Sequence, residues 1–205
     1  MKKSLLILLL LVISTFSIVV AQVEDGEWEK LKNGEVIVKE ITGLNSDGSQ
    51  NVRFMASIFI DAPREEVWTV LHDYDNFYRF FPNVRYTKVI KREGEIYWVD
   101  YVTKVMWVEA KYTLKFNSVE LNKRIEVELD KSRPHDIRET NATWLLEDAP
   151  EGSGTIVKYS TYIDSGIAAP ASLAKKASKM SLPKVVKCVK SRVESGGKWE
   201  KNEGS

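Results

Sequence analysis

The stretch Ile60–Val84, IDAPREEVWTVLHDYDNFYRFFPNV, constrains what this chain can fold into more than any other part of it. It places a strand exit, an amphipathic helix and a second short helix within 25 residues. Ile58 and Ile60 close an alternating strand, Asp61 is placed to cap the first helix, and Pro63 suits a first helical position, where its missing N–H costs nothing. Val67, Val70 and Leu71 then recur at i, i+3 and i+4 with Trp68 beside them, while Arg64, Glu65 and Glu66 point elsewhere. Such a helix has one apolar face that must be buried. Asp73 or Asp75 is placed to cap a second helix carrying Phe77, Phe80 and Phe81, which Pro82 ends. The pair reads as a lid over a cavity. His72-Asp73-Tyr74-Asp75 looks superficially like a base or metal cluster, but adjacent helical residues point in different directions. A structural role is predicted, with an aspartate as cap and His72 at the surface.

Alternation of apolar and polar residues marks the strands. Gly34–Thr42 and Asn51–Ile60 flank the turn-rich run Gly43–Gln50, and Val23–Lys32, polar with the single Trp28, reads as an extended lead-in. After the two helices come Arg85–Lys91, Ile96–Val108, Ala110–Val119, Arg124–Leu129, Asp136–Glu147 and Thr155–Asp164. Ala169-Pro170 opens a last helix with one apolar line at Leu173, Ala177 and Met180 and another at Leu182, Val186, Val189 and Val193, and Pro183 predicts a kink. The plan is α+β, a mainly antiparallel sheet curled round one long C-terminal helix.

Aromatic residues are the main signal for a site. In Ile96–Trp107 one parity, Tyr97, Val99, Tyr101, Thr103, Val105 and Trp107, carries no charge, whereas the other contains Asp100 and Lys104. The uncharged set is expected to face inward. Together with Tyr112, Leu114, Phe116, Trp144, Tyr159 and the helix residues Val186 and Val189, the residues Tyr97, Tyr101 and Val105 are the candidate lining of a pocket. An apolar pocket with a few hydroxyls suits a lipid, sterol, isoprenoid or quinone. The same pattern also fits an ordinary packed core, and the residues alone leave both open. No catalytic residue, metal ligand or cofactor site is predicted. The two histidines, His72 and His135, have no ligand spacing, the lone Cys188 reads as a buried thiol, and neither a Gly-x-Ser-x-Gly elbow nor a Gly-rich phosphate loop occurs.

The motif Ala62-Pro63, Val67-Trp68, Leu71, Asp73-Tyr74, continued by Phe77, Phe80, Pro82 and Val84, resembles the opening of the START-like, polyketide cyclase/Coq10-type branch of the Bet v 1-like (SRPBCC) superfamily. The run GTIVKYSTYIDSGIAAPASLAKKASKMSLPKVVKCVKSRVE is similar to that family's final strand and long terminal helix, so the resemblance covers roughly Gly34 to Val193. It implies a helix-grip fold, a curved antiparallel sheet wrapped around the C-terminal helix, with two short helices after the first core strand. It also favours a hollow interior over a packed one. The function implied is binding, with transport, of a hydrophobic small molecule. Two alternatives stand beside it: a cyclase or aromatase acting in the same cavity, and an interaction module whose cavity is filled.

The ends and the charge set the context. Met1-Lys2-Lys3, the uncharged run Ser4–Val20 and Ala21 before Gln22 form a secretory signal pattern, predicting cleavage after Ala21 and a secreted or periplasmic protein. An uncleaved membrane anchor is the competing reading, since the run is near the lower limit for spanning a bilayer. Removing 21 of 205 residues leaves 184, enough for one domain, with 22–50 as an N-terminal extension and strand, 51–198 as the helix-grip domain and 199–205 as a tail. The whole chain has 30 basic and 29 acidic residues, and losing Lys2 and Lys3 leaves 28 against 29. No global field favours nucleic acid, so no nucleic-acid partner is expected, and a monomer is. Lys175, Lys176, Lys179, Lys184, Lys187, Lys190 and Arg192 give the last helix a basic ridge, which either touches an anionic membrane transiently or is only its solvated face. Asn141-Ala142-Thr143 is a glycosylation sequon of a kind that arises often by chance.

Overall fold

Alternation in the sequence becomes one antiparallel sheet of eight strands, seen here in a computed structural model that describes residues 25–44, 50–150, 152, 154–166 and 171–202. The predicted leader and most of the predicted Gly43–Gln50 turn lie outside the described residues. The strands are β1 (Ile37–Leu44), β2 (Gln50–Ile60), β3 (Val84–Glu93), β4 (Ile96–Val105), β5 (Val108–Glu120), β6 (Arg124–Leu129), β7 (Glu139–Asp148) and β8 (Thr155–Asp164). They lie in the order β1-β2-β8-β7-β6-β5-β4-β3. The chain crosses from β2 to the far edge strand β3 through α2 (Arg64–Leu71), a 3-10 turn (Tyr74–Asn76) and α3 (Phe77–Phe80). The terminal helix, α4 (Ala171–Glu194), packs chiefly against β2, α2 and β8. This curved sheet gripping a C-terminal helix is the helix-grip fold.

The core follows from two periods. On the sheet, Phe54, Ala56, Ile58 and Ile60 of β2 and Leu114 and Phe116 of β5 are buried on the inner face. On α4, Leu182, Val186, Val189 and Val193 are buried at i, i+4, i+7 and i+11, as the sequence predicts. Met180, assigned to the other apolar line, is exposed instead, and the side chains of Leu173 and Ala177 lie outside the described residues.

Several local expectations are corrected. Val23–Lys32 is not an extended lead-in, because Asp25–Lys32 forms helix α1. Its Trp28 and Leu31, at i and i+3, bury against Ala149, Ile156, Ile37 and Phe59 in a second cluster, away from the main core. Two apolar positions in eight residues are too short a pattern to reveal it. Asp61 does not cap α2. Pro63 itself is the flanking residue, with φ −58° and ψ 152°, and no side chain supplies a cap. Asp75 is likewise no cap: its Oδ1 accepts the Val89 N–H at 2.7 Å and its Oδ2 meets Lys88 Nζ at 3.2 Å, fastening β3 to the helical crossover. The strand predicted to run to Val108 breaks earlier, at a two-residue turn of Met106 and Trp107 between the paired Val105 and Val108.

The chain stays within the fold from Lys198 through Lys201. Arg192 Nη1 donates to the Trp199 carbonyl at 2.8 Å, and Trp199 packs against the core. Lys201 Nζ then donates to the carbonyls of Phe81 (2.8 Å) and Val84 (2.6 Å), closing the chain over α3.

Candidate functional site

Between the inner face of the sheet, α3 and the middle of α4 lies a cavity of about 240 Å³. Strand alternation builds most of its wall. Tyr101 and Thr103 come from β4, Tyr112, Leu114 and Phe116 from β5, Val127 from β6, Thr140, Ala142 and Trp144 from β7, and Tyr159, Thr161 and Ile163 from β8. Register sets the aromatic pairs. Tyr101 lies opposite Tyr112, with ring planes 7° apart and centroids 5.9 Å apart, and Trp144 lies opposite Tyr159 with centroids at 4.0 Å. Phe77 and Phe81 close the helical side, and Phe81 stacks on Trp144 at 6.0 Å.

The cavity is graded. Phe77, Phe116 and Trp144 are buried, whereas Thr103 and Thr161 are half-buried, and Ile163 and Ser181 are exposed. One end is therefore aromatic and dry, and the mouth carries hydroxyls. Thr140 Oγ1 donates to the Tyr162 carbonyl at 2.9 Å and Thr161 Oγ1 to the Asn141 carbonyl at 3.2 Å. Each oxygen keeps lone pairs that can accept from a ligand.

Six predicted lining residues meet here: Tyr101, Tyr112, Leu114, Phe116, Trp144 and Tyr159. Four do not. Tyr97 has the right parity, but it is half-buried beside Tyr74, at 5.0 Å, with the Arg92 guanidinium 4.8 Å from its ring. Val105 is 55 % exposed because β4 runs past the core before it turns. Val186 and Val189 are fully buried in the core, while the helix offers the cavity Ser181, Leu182 and Val185, nearer its start. The lining also extends further along β7 and β8 than the predicted set. Thr140 and Ala142 precede Trp144 on one face, and Thr161 and Ile163 come after Tyr159, so the same alternation reaches them. Phe77 and Phe81 belong to the segment whose pattern predicts a lid.

Burial controls the chemistry of the phenols. Desolvation raises the pKa of Tyr101 well above the ordinary value and pushes Tyr159 up to about 12, the Thr161 hydroxyl pulling partly back. Tyr112 is raised for the same reason and is partly offset by Thr103. All three are neutral hydrogen-bonding groups at neutral pH. No carboxylate, histidine, lysine or arginine belongs to the lining among the described residues. Cys188 is half-buried on α4 and outside the cavity wall, and desolvation pushes its thiol up to about 11, which leaves it a poor nucleophile. Tyr74 is also raised by burial. Its hydroxyl has no partner of good hydrogen-bond geometry, although Ser118 lies near enough to offset part of the shift.

His72 is structural, as expected, but it is not at the surface. Its Nδ1 lies 2.9 Å from the Trp68 carbonyl and its Nε2 2.8 Å from Ser118 Oγ, and the ring packs on Trp68 at 4.3 Å. The partners fix the neutral tautomer with the proton on Nδ1, and desolvation lowers the ring's pKa. The basic ridge of α4 is also corrected. Arg192 is buried, and Lys190 Nζ donates to the Phe59 carbonyl at 2.9 Å and pairs with Glu194. Lys179, Lys184 and Lys187 are exposed, and the side chains of Lys175 and Lys176 lie outside the described residues. Among the described residues no three His, Cys, Asp or Glu side chains gather into a metal-holding group, and no helix is long and apolar enough to cross a membrane.

Residues 60–190, which hold the lid helices, most of the sheet and most of α4, match the family described as polyketide cyclase / dehydrase and lipid transport. The chain belongs to that family. Solved structures share its fold. A STAR-related lipid transfer protein from Xanthomonas axonopodis superposes with a TM-score of 0.62 at 19% identity, over 78% of this chain and 93% of that one. A START superfamily protein from Mycobacterium smegmatis gives 0.61 at 12% identity, over 70% and 97%. The Zhui aromatase/cyclase from Streptomyces sp. R1128 gives 0.53 at 10% identity, over 78% and 94%. At such identities the likeness speaks for the fold alone. No curated protein matches the sequence.

Proposed function

We propose that the cavity binds a hydrophobic small molecule with one polar end, a lipid, sterol, isoprenoid or quinone, and that the protein carries it between membranes. The observation that carries this reading is the grading of the cavity from the buried Phe77, Phe116 and Trp144 to the more exposed hydroxyls of Thr103, Thr161 and Ser181. An apolar tail is stabilised at the dry end, and a hydroxyl or carbonyl head meets hydrogen-bonding partners at the mouth. A volume of about 240 Å³ falls just under the roughly 300–1,000 Å³ of small-molecule sites, which suits one compact chain or ring system better than a two-chain phospholipid. The family spans lipid transport and cyclisation. Binding is favoured over acid–base catalysis because the titratable groups in the described lining are tyrosines whose burial holds them neutral.

The test is native mass spectrometry, with lipid extraction, of the protein purified from its own host. The expected result is a co-purifying apolar molecule that organic solvent removes and a fluorescent fatty acid replaces. A chain that carries nothing and binds no apolar ligand would end this reading and favour a filled core used for protein contacts. Export belongs to the same proposal, on the basic start, apolar run and Ala21-Gln22 junction. N-terminal sequencing should begin at Gln22, whereas intact Met1 in a membrane fraction would support an anchor.

A further inference from the structure

The β4–β5 hairpin ends in a tip that strand pairing does not require. Val105 pairs with Val108, leaving Met106 and Trp107 as the turn residues, and both valines are exposed. Met106 is 73 % exposed and Trp107 79 %. Met106 also has φ +55°, a region where two-residue hairpins favour glycine or asparagine. A polar turn would serve the strands better and would leave no cluster of apolar side chains in water.

This tip stands at the mouth of the cavity. Thr103, two residues before Val105 and on the same face of β4, lines the cavity, and the Lys104 N–H donates to the carbonyl of Asn83, another lining residue, at 2.8 Å. Ile163 of the lining is exposed, as is Met180, which precedes Ser181 of the lining. Charge at this end is arranged to leave cations outward. Lys104, Lys179 and Lys184 are exposed, Glu109 is engaged by Lys111 at 3.5 Å, and Asp164 accepts the Gly166 N–H at 2.8 Å with Arg138 at 3.9 Å.

We propose that the Val105–Val108 tip inserts into the interface of an anionic phospholipid bilayer and presents the cavity mouth to it. The proposal rests on the cavity being a site for an apolar ligand, because it gives that ligand a path between protein and bilayer that avoids water. Trp107 has the amphipathic ring that settles at headgroup level, Met106 and the two valines reach the acyl boundary, and the exposed lysines meet anionic headgroups. A protein partner fits less well, since a stable interface takes about 800 Å² and roughly 20–30 residues a side, far more than a four-residue tip offers.

The experiment is vesicle co-sedimentation of the chain from Gln22 onward, which keeps every described element and removes the apolar run Ser4–Val20 that would itself bind lipid. Vesicles of phosphatidylglycerol and phosphatidylcholine in equal parts are compared with pure phosphatidylcholine. Wild type should bind the anionic vesicles, the double variant Met106→Ser/Trp107→Ser should bind at least tenfold more weakly with an unchanged melting temperature, and Lys104→Glu should weaken binding to anionic vesicles only. A soluble fluorescent fatty acid should bind the double variant as it binds wild type, while Tyr101→Ala binds the fatty acid about tenfold more weakly and keeps the vesicles. Equal vesicle binding by wild type and double variant, or none by wild type, would overturn docking and leave the cavity reading standing. Loss of a dimer from the double variant in gel filtration would assign the tip to a second copy of the chain and overturn the bilayer as its partner.

Discussion

Trp144 and Tyr159 are direct cross-strand partners whose rings stack 4.0 Å apart, with planes 25° apart, in the wall of the cavity. The chain has six tryptophans. Trp28 sits in the second cluster, Trp98 is half-buried with Lys91 Nζ 4.4 Å from its ring, Trp107 is exposed, and Trp68 and Trp199 pack at the margin of the core, so Trp144 is the one in the described lining. A ligand entering the cavity should therefore change intrinsic emission through Trp144. Trp144→Phe should abolish that change while mass spectrometry still finds the ligand bound. A change that persists in the variant would place the ligand elsewhere.

Parity along β5 gives a sharper test. Tyr112 points into the cavity, and its neighbour Lys111 is exposed on the other face. Tyr112→Ala and Tyr101→Ala should each weaken fatty-acid binding about tenfold, on the order of the 1.4 kcal/mol that such a factor represents. Lys111→Ala should leave it within a factor of about two. Equal effects from inward and outward substitutions would remove the physical basis of the proposed site.

How far the sequence carries can be judged residue by residue. The grip itself is legible, because Leu182, Val186, Val189 and Val193 keep one helical face over three turns and the strands β6 and β7 keep strict alternation. Tyr101 and Tyr112 are legible as lining for the same reason. Val105 is not, since parity says which way a side chain points but not where a strand outruns its core. Trp68 shows the same limit: it packs against the core yet is half-buried, so its neighbours' period overstates its burial. Asp61 and Asp75 fit the statistics of caps, but Asp75 instead binds a strand 14 residues away, a choice made by tertiary contact. Trp28 is hidden because a short helix leaning on the outside of a sheet leaves no long pattern.

His72 predicts a pH dependence of stability. Burial lowers its folded-state pKa below the unfolded value of about 6.5, so the unfolded chain binds the proton first. Stability from this residue is complete above that pH and is lost as pH falls below about 6.5 toward the folded value. Urea midpoints measured from about pH 7.5 to about pH 5.5 should fall, and His72→Gln should flatten the slope. A slope unchanged in the variant would assign the titration to other groups.

Arg192 should act as the lock between α4, the lid and the C-terminal segment. It is buried, donates to the Trp199 carbonyl at 2.8 Å, approaches Asp73 at 3.7 Å and lies over the Phe80 ring at 5.3 Å. Removing it leaves a carbonyl and a half-exposed carboxylate without their cation, so Arg192→Met should lower stability by about 2 kcal/mol, the scale of a hydrogen bond to a charged group. Ending the chain after Lys198 removes the Trp199 carbonyl and the Lys201 contacts to Phe81 and Val84. Because both changes break the same connection, the combined variant should cost less than the two single costs added. Chemical denaturation of the four proteins in that cycle measures the coupling, and strict additivity would show that Arg192 stabilises the lid through Asp73 and Phe80 alone.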